Sequence, residues 1–404
     1  PNIYGSFLEP LSRGDRPDIV YGPLYDPASP HSDENGFRQE YLQQIKELKV
    51  TAIRWPGGNF VSGHNWMDAI GPKADRPVSL DLSRTRKESN QMGTAEYVAF
   101  CNLVGAENFI CINAGTGTIE EAARWVEYCN APAGTRYADL RVKHGHPEPF
   151  KVKFWALGNE PDGPWQLGYK SKEDYTKFAI EAAKMMSAVD KDIKLVAAGA
   201  SNYPLVTKRY DPKDGWTDWN DHVLDQMAGY VDYISLHRYV FQVLRGFEKP
   251  GFADEMSLGM EIDRIIQVTK GQIQKAMVKS ETDRPIYISF DEYGARGNTL
   301  AGPLLLAQHL NAFIRHADIV KMANLTFLTS LTGITPEGGY KTSLYYPFYL
   351  YSNHCRGTAL DVYTRCATYS NKAFKDIPYL DVTAVLNAAE GKLLVNVVNR
   401  SEND

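Results

Sequence analysis

The sequence has no apolar run approaching the ~20 residues that a membrane-spanning helix needs, so nothing in it reads as a helical membrane segment. Cysteine is scarce. Five are spread over 404 residues with no C-x-x-C pair, which excludes a disulfide scaffold and favours reduced thiols in a reducing compartment. That places the protein in the cytoplasm, with secretion as the alternative should a leader precede Pro1. A basic excess is also missing: 44 Lys and Arg stand against 49 Asp and Glu, a net charge of -5. This balance argues against a nucleic-acid or anionic-membrane partner. Neither a G-x-S-x-G nucleophile elbow nor a P-loop occurs, and the turn Gly115-Thr116-Gly117-Thr118 lacks the third glycine of a dinucleotide site.

What is present is globular. Hydrophobic residues make up 43% and charged residues 23%, which excludes disorder across the whole chain. Aromatic residues are in excess at 12%, with 24 Tyr and 7 Trp. Rings with polar tips suit a surface that grips sugars, but they equally suit strands and barrel walls.

Short β-branched or aromatic runs alternate with longer amphipathic ones. Strands are predicted at Ile3–Phe7, Ala52–Arg54, Phe109–Asn113, Phe154–Leu157, Lys194–Ala198, Tyr233–His237, Ile286–Asp291 and Met322–Leu328. Helices are predicted at Phe37–Leu48, Ala95–Leu103, Glu120–Cys129, Lys172–Val189, Trp219–Met227, Ile262–Met277, Pro303–His316 and Tyr345–His354. Strict alternation implies parallel strands joined by right-handed crossovers, and eight repeats close into a (β/α)8 TIM barrel over residues 1–357. After Gly357 the runs Ala359–Val362, Tyr379–Leu386 and Leu393–Val398 alternate with period two and no helix intervenes. Residues 358–404 are therefore expected to form part of an all-β sandwich, too short to close alone, with the remainder supplied by N-terminal strands or by chain beyond the C-terminus.

Chemistry in a barrel sits at the C-terminal ends of the strands. The fourth run ends in Asn159 and Glu160, the seventh in Asp291 and Glu292, the sixth in His237 and Tyr239, the second in Arg54 and Asn59, and the first in Glu9. Two carboxylates facing each other across the mouth are what glycoside hydrolysis requires, one to protonate the leaving oxygen and one to attack or activate water. Loop carboxylates are also common on any barrel, so placement alone leaves both readings open. His144-Gly145-His146 with Glu148 has a metal-like look but reads as a solvated loop, and Asp15, Asp18 and Asp26 lack calcium-loop spacing.

The segments IRWPGGNFVSGHNWMDAIGP, NQMGT, LGNEPDGPWQ, DYISLHRY, FDEY and YYPFYLYSNH, in this order over nearly the whole chain, resemble a family 51 glycoside hydrolase, an α-L-arabinofuranosidase. The resemblance implies a barrel bearing a β-sandwich, retention of anomeric configuration, no metal and no cofactor, and homo-oligomers such as hexamers. It makes Glu160 the general acid/base and Glu292 the nucleophile, with Asn159 on the sugar 2-hydroxyl and Glu9 and Asn59 on the terminal furanose. Arg54 and Tyr239 are expected to keep Glu292 ionised, and His237 to bind substrate or orient a carboxylate. Burial and repulsion from Glu292 are expected to raise the pKa of Glu160.

Two departures concern the substrate rim. Tyr293, Gly294, Ala295 and Arg296 follow the nucleophile where the family usually carries Trp, and Lys341, Thr342 and Ser343 precede YYPF where it often has Gln. The leading expectation is exo-release of terminal α-L-arabinofuranosyl residues from arabinoxylan, arabinan and their oligosaccharides. An endo-β-1,4-glucanase or xylanase of the same chemistry and a non-catalytic carbohydrate-binding barrel are the alternatives.

Overall fold

The computed structural model describes residues 1–10, 24–201, 203, 215–297, 299–335 and 338–403; Asp15 and Asp18 of the aspartate-rich loop lie outside them. Eight parallel strands close into a barrel: β1 (Asn2–Phe7), β2 (Ala52–Trp55), β3 (Glu107–Cys111), β4 (Phe154–Ala156), β5 (Lys194–Ala197), β6 (Tyr233–His237), β7 (Tyr287–Tyr293) and β8 (Val320–Leu325). Each strand pairs with its neighbours in sequence, and β8 pairs with β1 to close the ring. The main helices are α1 (Gln39–Leu48), α2 (Thr94–Val104), α3 (Ile119–Asn130), α4 (Lys172–Val189), α5 (Trp216–Met227), α6 (Gly259–Ser280), α7 (Ala301–Arg315) and α8 (Tyr345–His354).

Local chemistry explains where these helices begin. Thr118 accepts from the Glu121 backbone N–H at 3.1 Å while Glu121 accepts from that of Thr118 at 2.7 Å, a reciprocal cap for α3. Ser171 accepts from the Asp174 N–H at 3.1 Å and starts α4. The third strand ends two residues before the predicted Asn113, because the Asn113 side chain instead accepts from the N–H groups of Gly115 and Thr116 and folds the chain into a turn. The eighth stops at Leu325, and Leu328–Ser330 form a 3-10 turn.

The barrel is a packed core rather than a pore. Inward-facing Phe109, Cys111, Phe154, Ala156, Val196 and Met322 fill it together with Val61. Tyr233 packs edge-on against Phe154 and also touches Tyr287. The outward faces meet the helices in a single larger core. Part of the tyrosine excess is spent there: Tyr41, Tyr97, Tyr128, Tyr175, Tyr293 and Tyr345 are fully buried, so wall-filling accounts for them better than sugar gripping. The five cysteines are all free.

Beyond α8, strands β9 (Thr358–Leu360), β10 (Leu380–Asn387) and β11 (Lys392–Asn399) form an antiparallel sheet in the order β9-β10-β11. It is pinned to α7 through buried polar contacts. Asn311 donates to the Asp381 carbonyl at 3.2 Å and accepts from Thr383 at 2.8 Å and Tyr351 at 2.7 Å; Arg400 donates to Gln308 at 2.8 Å.

Strand β7 differs from its prediction in a way that matters. It continues to Tyr293, and both neighbours skip one of its residues: Ser235 and His237 pair with Ser289 and Glu292, while Ala323 and Leu325 pair with Phe290 and Tyr293. An extra residue in one strand is a β-bulge. It breaks the alternation of faces, so the consecutive Asp291 and Glu292 both meet Arg54, while Phe290 and Tyr293 pack outward against Phe313 of α7. Phe290 is fully buried, so Phe290→Ala should cost ~3–5 kcal/mol of unfolding free energy in urea titrations. A loss under ~1 kcal/mol would mean that this outward face does not anchor the bulge.

Candidate active site

All eight residues nominated from the sequence assemble at the C-terminal end of the barrel, seven of them linked through hydrogen bonds and Glu9 against the adjoining wall. Arg54, at the end of β2 and fully buried, forks between two elements: Nη1 donates to Glu292 Oε1 at 2.9 Å and Nη2 to Asn159 Oδ1 at 2.6 Å. Its Nε faces Asp291 Oδ2 at 3.9 Å, and its guanidinium lies 5.1 Å over the Phe7 ring. Tyr239 donates to Glu292 Oε2 at 2.7 Å, so both Glu292 carboxylate oxygens are held by donors. Burial and the Glu292 charge push the Tyr239 hydroxyl well above its ordinary pKa, keeping it a donor.

Glu160 sits in a turn that starts with Gly158 at φ +109° and holds Glu160 itself at φ +46°, a left-handed conformation that a residue with a Cβ adopts only under constraint. The turn then doubles back, placing Trp165 and Gln166 over the carboxylate. Trp165 Nε1 donates to Glu160 Oε2 at 2.6 Å and Gln166 Nε2 donates to the same oxygen at 3.2 Å. His237 Nδ1 lies 3.1 Å from Glu160 Oε1 and 3.6 Å from Glu292 Oε1. A carboxylate oxygen of each glutamate and a ring nitrogen of His237 all lie within 4.8 Å of one another. This is a donor set of the kind that holds a divalent ion, but Arg54 already donates to Glu292 and His237 lies between the two carboxylates.

The expectation that Glu160 is raised does not hold. Burial does push it up, but the hydrogen bond and charge of His237, with the donors Trp165 and Gln166, outweigh burial and lower it below the usual glutamate value. His237 moves the other way: burial lowers it, but Glu292 and the hydrogen bond to Glu160 raise it overall. Burial raises Asp291, against the opposing pull of Arg54.

The sequence RWPGGNF builds the adjoining wall. Gly57 and Gly58 have φ of +44° and +54°, and a Cβ at Gly57 would fall 1.9 Å from the Phe7 ring. One at Gly58 would fall 2.3 Å from the Glu9 carboxyl. This close approach lets the Phe60 N–H donate to Glu9 Oε1 at 3.0 Å. Asn59, next in the chain, accepts from Gln166, whose own carbonyl accepts from Ser62 at 3.0 Å. Asn159 Nδ2 has no partner among the described residues.

Four residues of this group were not nominated. Trp165 and Gln166 lie within the quoted LGNEPDGPWQ, and the five- and six-residue return after Glu160 was their signal. Asp291 was noticed beside Glu292 but given no part. Arg84 gave no signal: it comes from the turn between short strands Ser79–Asp81 and Arg86–Glu88 and donates to Glu9 Oε1 at 2.7 Å. His144, by contrast, bonds Tyr128 at 3.1 Å and takes no part in the site.

Burial pushes the Glu9 carboxyl up to about 7, against the opposing pull of Arg84 and the Phe60 N–H and with added repulsion from Glu292. The native state therefore binds this proton more tightly than the unfolded chain, and Glu9 lowers stability as pH rises from its ordinary value through about 7. Glu9→Gln removes that term, so the stability of the variant relative to the parent should increase between pH 5 and pH 8 in urea titrations. A difference that stays constant over this range would contradict the raised carboxyl.

Comparison with known proteins agrees with this geometry. Residues 44–240 match the family model of the α-L-arabinofuranosidase 1 domain, and residues 289–403 match that of the α-L-arabinofuranosidase C-terminal domain. The chain is 36% identical to the intracellular exo-α-(1→5)-L-arabinofuranosidase of Halalkalibacterium halodurans, over 100% of this chain and 82% of that protein. The solved structure of the family 51 α-L-arabinofuranosidase from Bifidobacterium longum superposes with a TM-score of 0.91 at 29% identity, covering 100% of this chain and 83% of that one. The α-L-arabinofuranosidase of Thermotoga maritima, solved as an arabinose complex, gives 0.88 at 33% identity with the same coverage. Among the described residues no helix is long and apolar enough to cross a membrane. More than a third of aligned residues identical across the full chain, carried on the same barrel and sheet, makes the chain a member of the glycoside hydrolase family 51 α-L-arabinofuranosidases.

Proposed function

We propose that this chain is a retaining, exo-acting α-L-arabinofuranosidase that releases terminal α-L-arabinofuranosyl residues from arabinoxylan, arabinan and their oligosaccharides in the cytoplasm. The observation that carries the mechanism is the separation of the two glutamates. Retention needs carboxyl groups ~5–5.5 Å apart, whereas inversion needs ~6.5–9.5 Å to admit a water between carboxylate and sugar. Oxygens of Glu160 and Glu292 within 4.8 Å of each other lie on the retaining side.

In this reading Glu292 attacks the anomeric carbon while Glu160 gives its proton to the leaving oxygen. Glu160 then takes a proton from the water that hydrolyses the glycosyl–Glu292 ester. Arg54 and Tyr239 keep Glu292 ionised and aimed. The unpartnered Asn159 Nδ2 is a ready donor for the sugar 2-hydroxyl, where an added hydrogen bond strengthens in the transition state. Glu9 and Asn59 close the pocket around the rest of a single furanose. That convergence, and relatives whose names specify exo-action, favour this reading over the endo-acting glucanase or xylanase.

Glu292→Ala should abolish turnover of every aryl arabinofuranoside, because no covalent intermediate can form. Glu160→Ala should spare the first step for nitrophenyl leaving groups, which need little protonation, and slow the second. Added azide should restore turnover in Glu160→Ala only, as arabinofuranosyl azide of inverted configuration relative to the glycosyl–enzyme. Identical behaviour of the two variants across leaving groups would overturn the assignment.

A further inference from the structure

We propose that His237 is the residue that keeps the acid/base supplied with its proton, so that the proton delivered to the leaving group is held jointly by Glu160 Oε1 and His237 Nδ1. The inference rests on the functional reading above and on counting hydrogen-bonding sites around Glu160. Its Oε2 accepts N–H groups from both Trp165 and Gln166. Turned the other way, the Gln166 carbonyl would face Asn59 Oδ1, to which its NH2 now donates, and the Trp165 N–H would still face Oε2. An oxygen facing two donors is a poor place for a further hydrogen. The acidic proton is therefore confined to the Oε1 side, where His237 Nδ1 waits at 3.1 Å.

Two N–H donors on Oε2 favour the Glu160 carboxylate over its protonated form, whereas Glu292 and the hydrogen bond to Glu160 raise the pKa of His237 in spite of burial. The charged groups facing His237 come from every side of the mouth: Glu160 from the turn after β4, Glu292 and Asp291 from β7, and Arg54 from β2. Arg54 opposes its protonation, and the carboxylates favour it.

The cycle balances. In the first half-reaction the shared proton goes to the glycosidic oxygen, the bond from that oxygen to the anomeric carbon breaks, and the Glu292–carbon bond forms. Glu160 is left as carboxylate and His237 as neutral imidazole. Forming the ester also removes the Glu292 charge that favoured the imidazolium, which eases loss of the proton, and the two acceptors left facing each other draw a proton back when Glu160 must act as base. In the second half-reaction water adds to the anomeric carbon, the ester bond breaks, and the proton of that water returns to the pair.

The test is the pH dependence of kcat/KM for His237→Asn, measured with an arabinosyl-xylooligosaccharide and with a nitrophenyl arabinofuranoside. With the oligosaccharide the basic limb should move to lower pH by about one unit or more, because Glu160 must then hold the proton unaided. The nitrophenyl substrate, whose leaving group needs little protonation, should lose less activity than the oligosaccharide. A parallel loss on both substrates with unchanged limbs would overturn the proposal and leave His237 a structural residue. Trp165→Phe provides a second, independent arm: losing one donor on Oε2 should move the same limb to higher pH, and no movement would also count against the proposal. Glu160→Ala run beside them separates the two levels. If it shows no leaving-group dependence, the acid/base assignment itself fails; if it does while His237→Asn does not, only the role of His237 falls.

Discussion

Two carboxylates within 4.8 Å of one another repel, and the upper end of the barrel is organised to hold them there. At an effective dielectric near 20, unit charges at such a distance repel by roughly 3–4 kcal/mol. Arg54 provides an opposing charge, and the carboxylates raise the pKa of His237, which stands with it. Arg54 is immobilised between Glu292 and Asn159 with Asp291 behind it, and His237 stands between the two glutamates. A fully buried guanidinium is costly without acceptors, so Glu292 and Asn159, which accept from its two Nη atoms, serve both the fold and the site.

The backbone meets this demand at three places where ordinary strand or turn geometry would not. The bulge in β7 turns both Asp291 and Glu292 toward Arg54. The left-handed backbone at Glu160 carries its carboxylate to His237, and the Gly57-Gly58 pair lets the wall close on Glu9 and Phe7. Each departs from local preference at a functional position, where such strain is expected to collect and where the surrounding packing must maintain it.

The barrel was legible because parallel strands buried on both faces read as short apolar runs and its helices carry plain signals. Lys172–Val189 and Tyr345–His354 coincide with their predictions, the first because Ser171 caps it. The bulge was not legible, since strand register is set by two neighbouring strands and leaves no local pattern around Phe290. The fall in the Glu160 pKa was missed for a related reason. Burial and repulsion can be inferred from two carboxylates at a barrel mouth, but the donors that outweigh them come from a turn and from β6, and their count emerges only on folding. Arg84 arrives from a hairpin inserted between β2 and α2, and nothing in its neighbourhood marks it as a partner of Glu9.

The central claim is that Glu292 itself becomes covalently bound to the sugar. It is tested most directly by mixing Glu160→Ala with a dinitrophenyl arabinofuranoside, quenching in acid during the burst, and mapping peptides by mass spectrometry. One pentosyl residue is expected on the peptide containing Glu292, localised to that side chain by fragmentation. An adduct on any other residue, or product released with inverted configuration and no adduct, would contradict it.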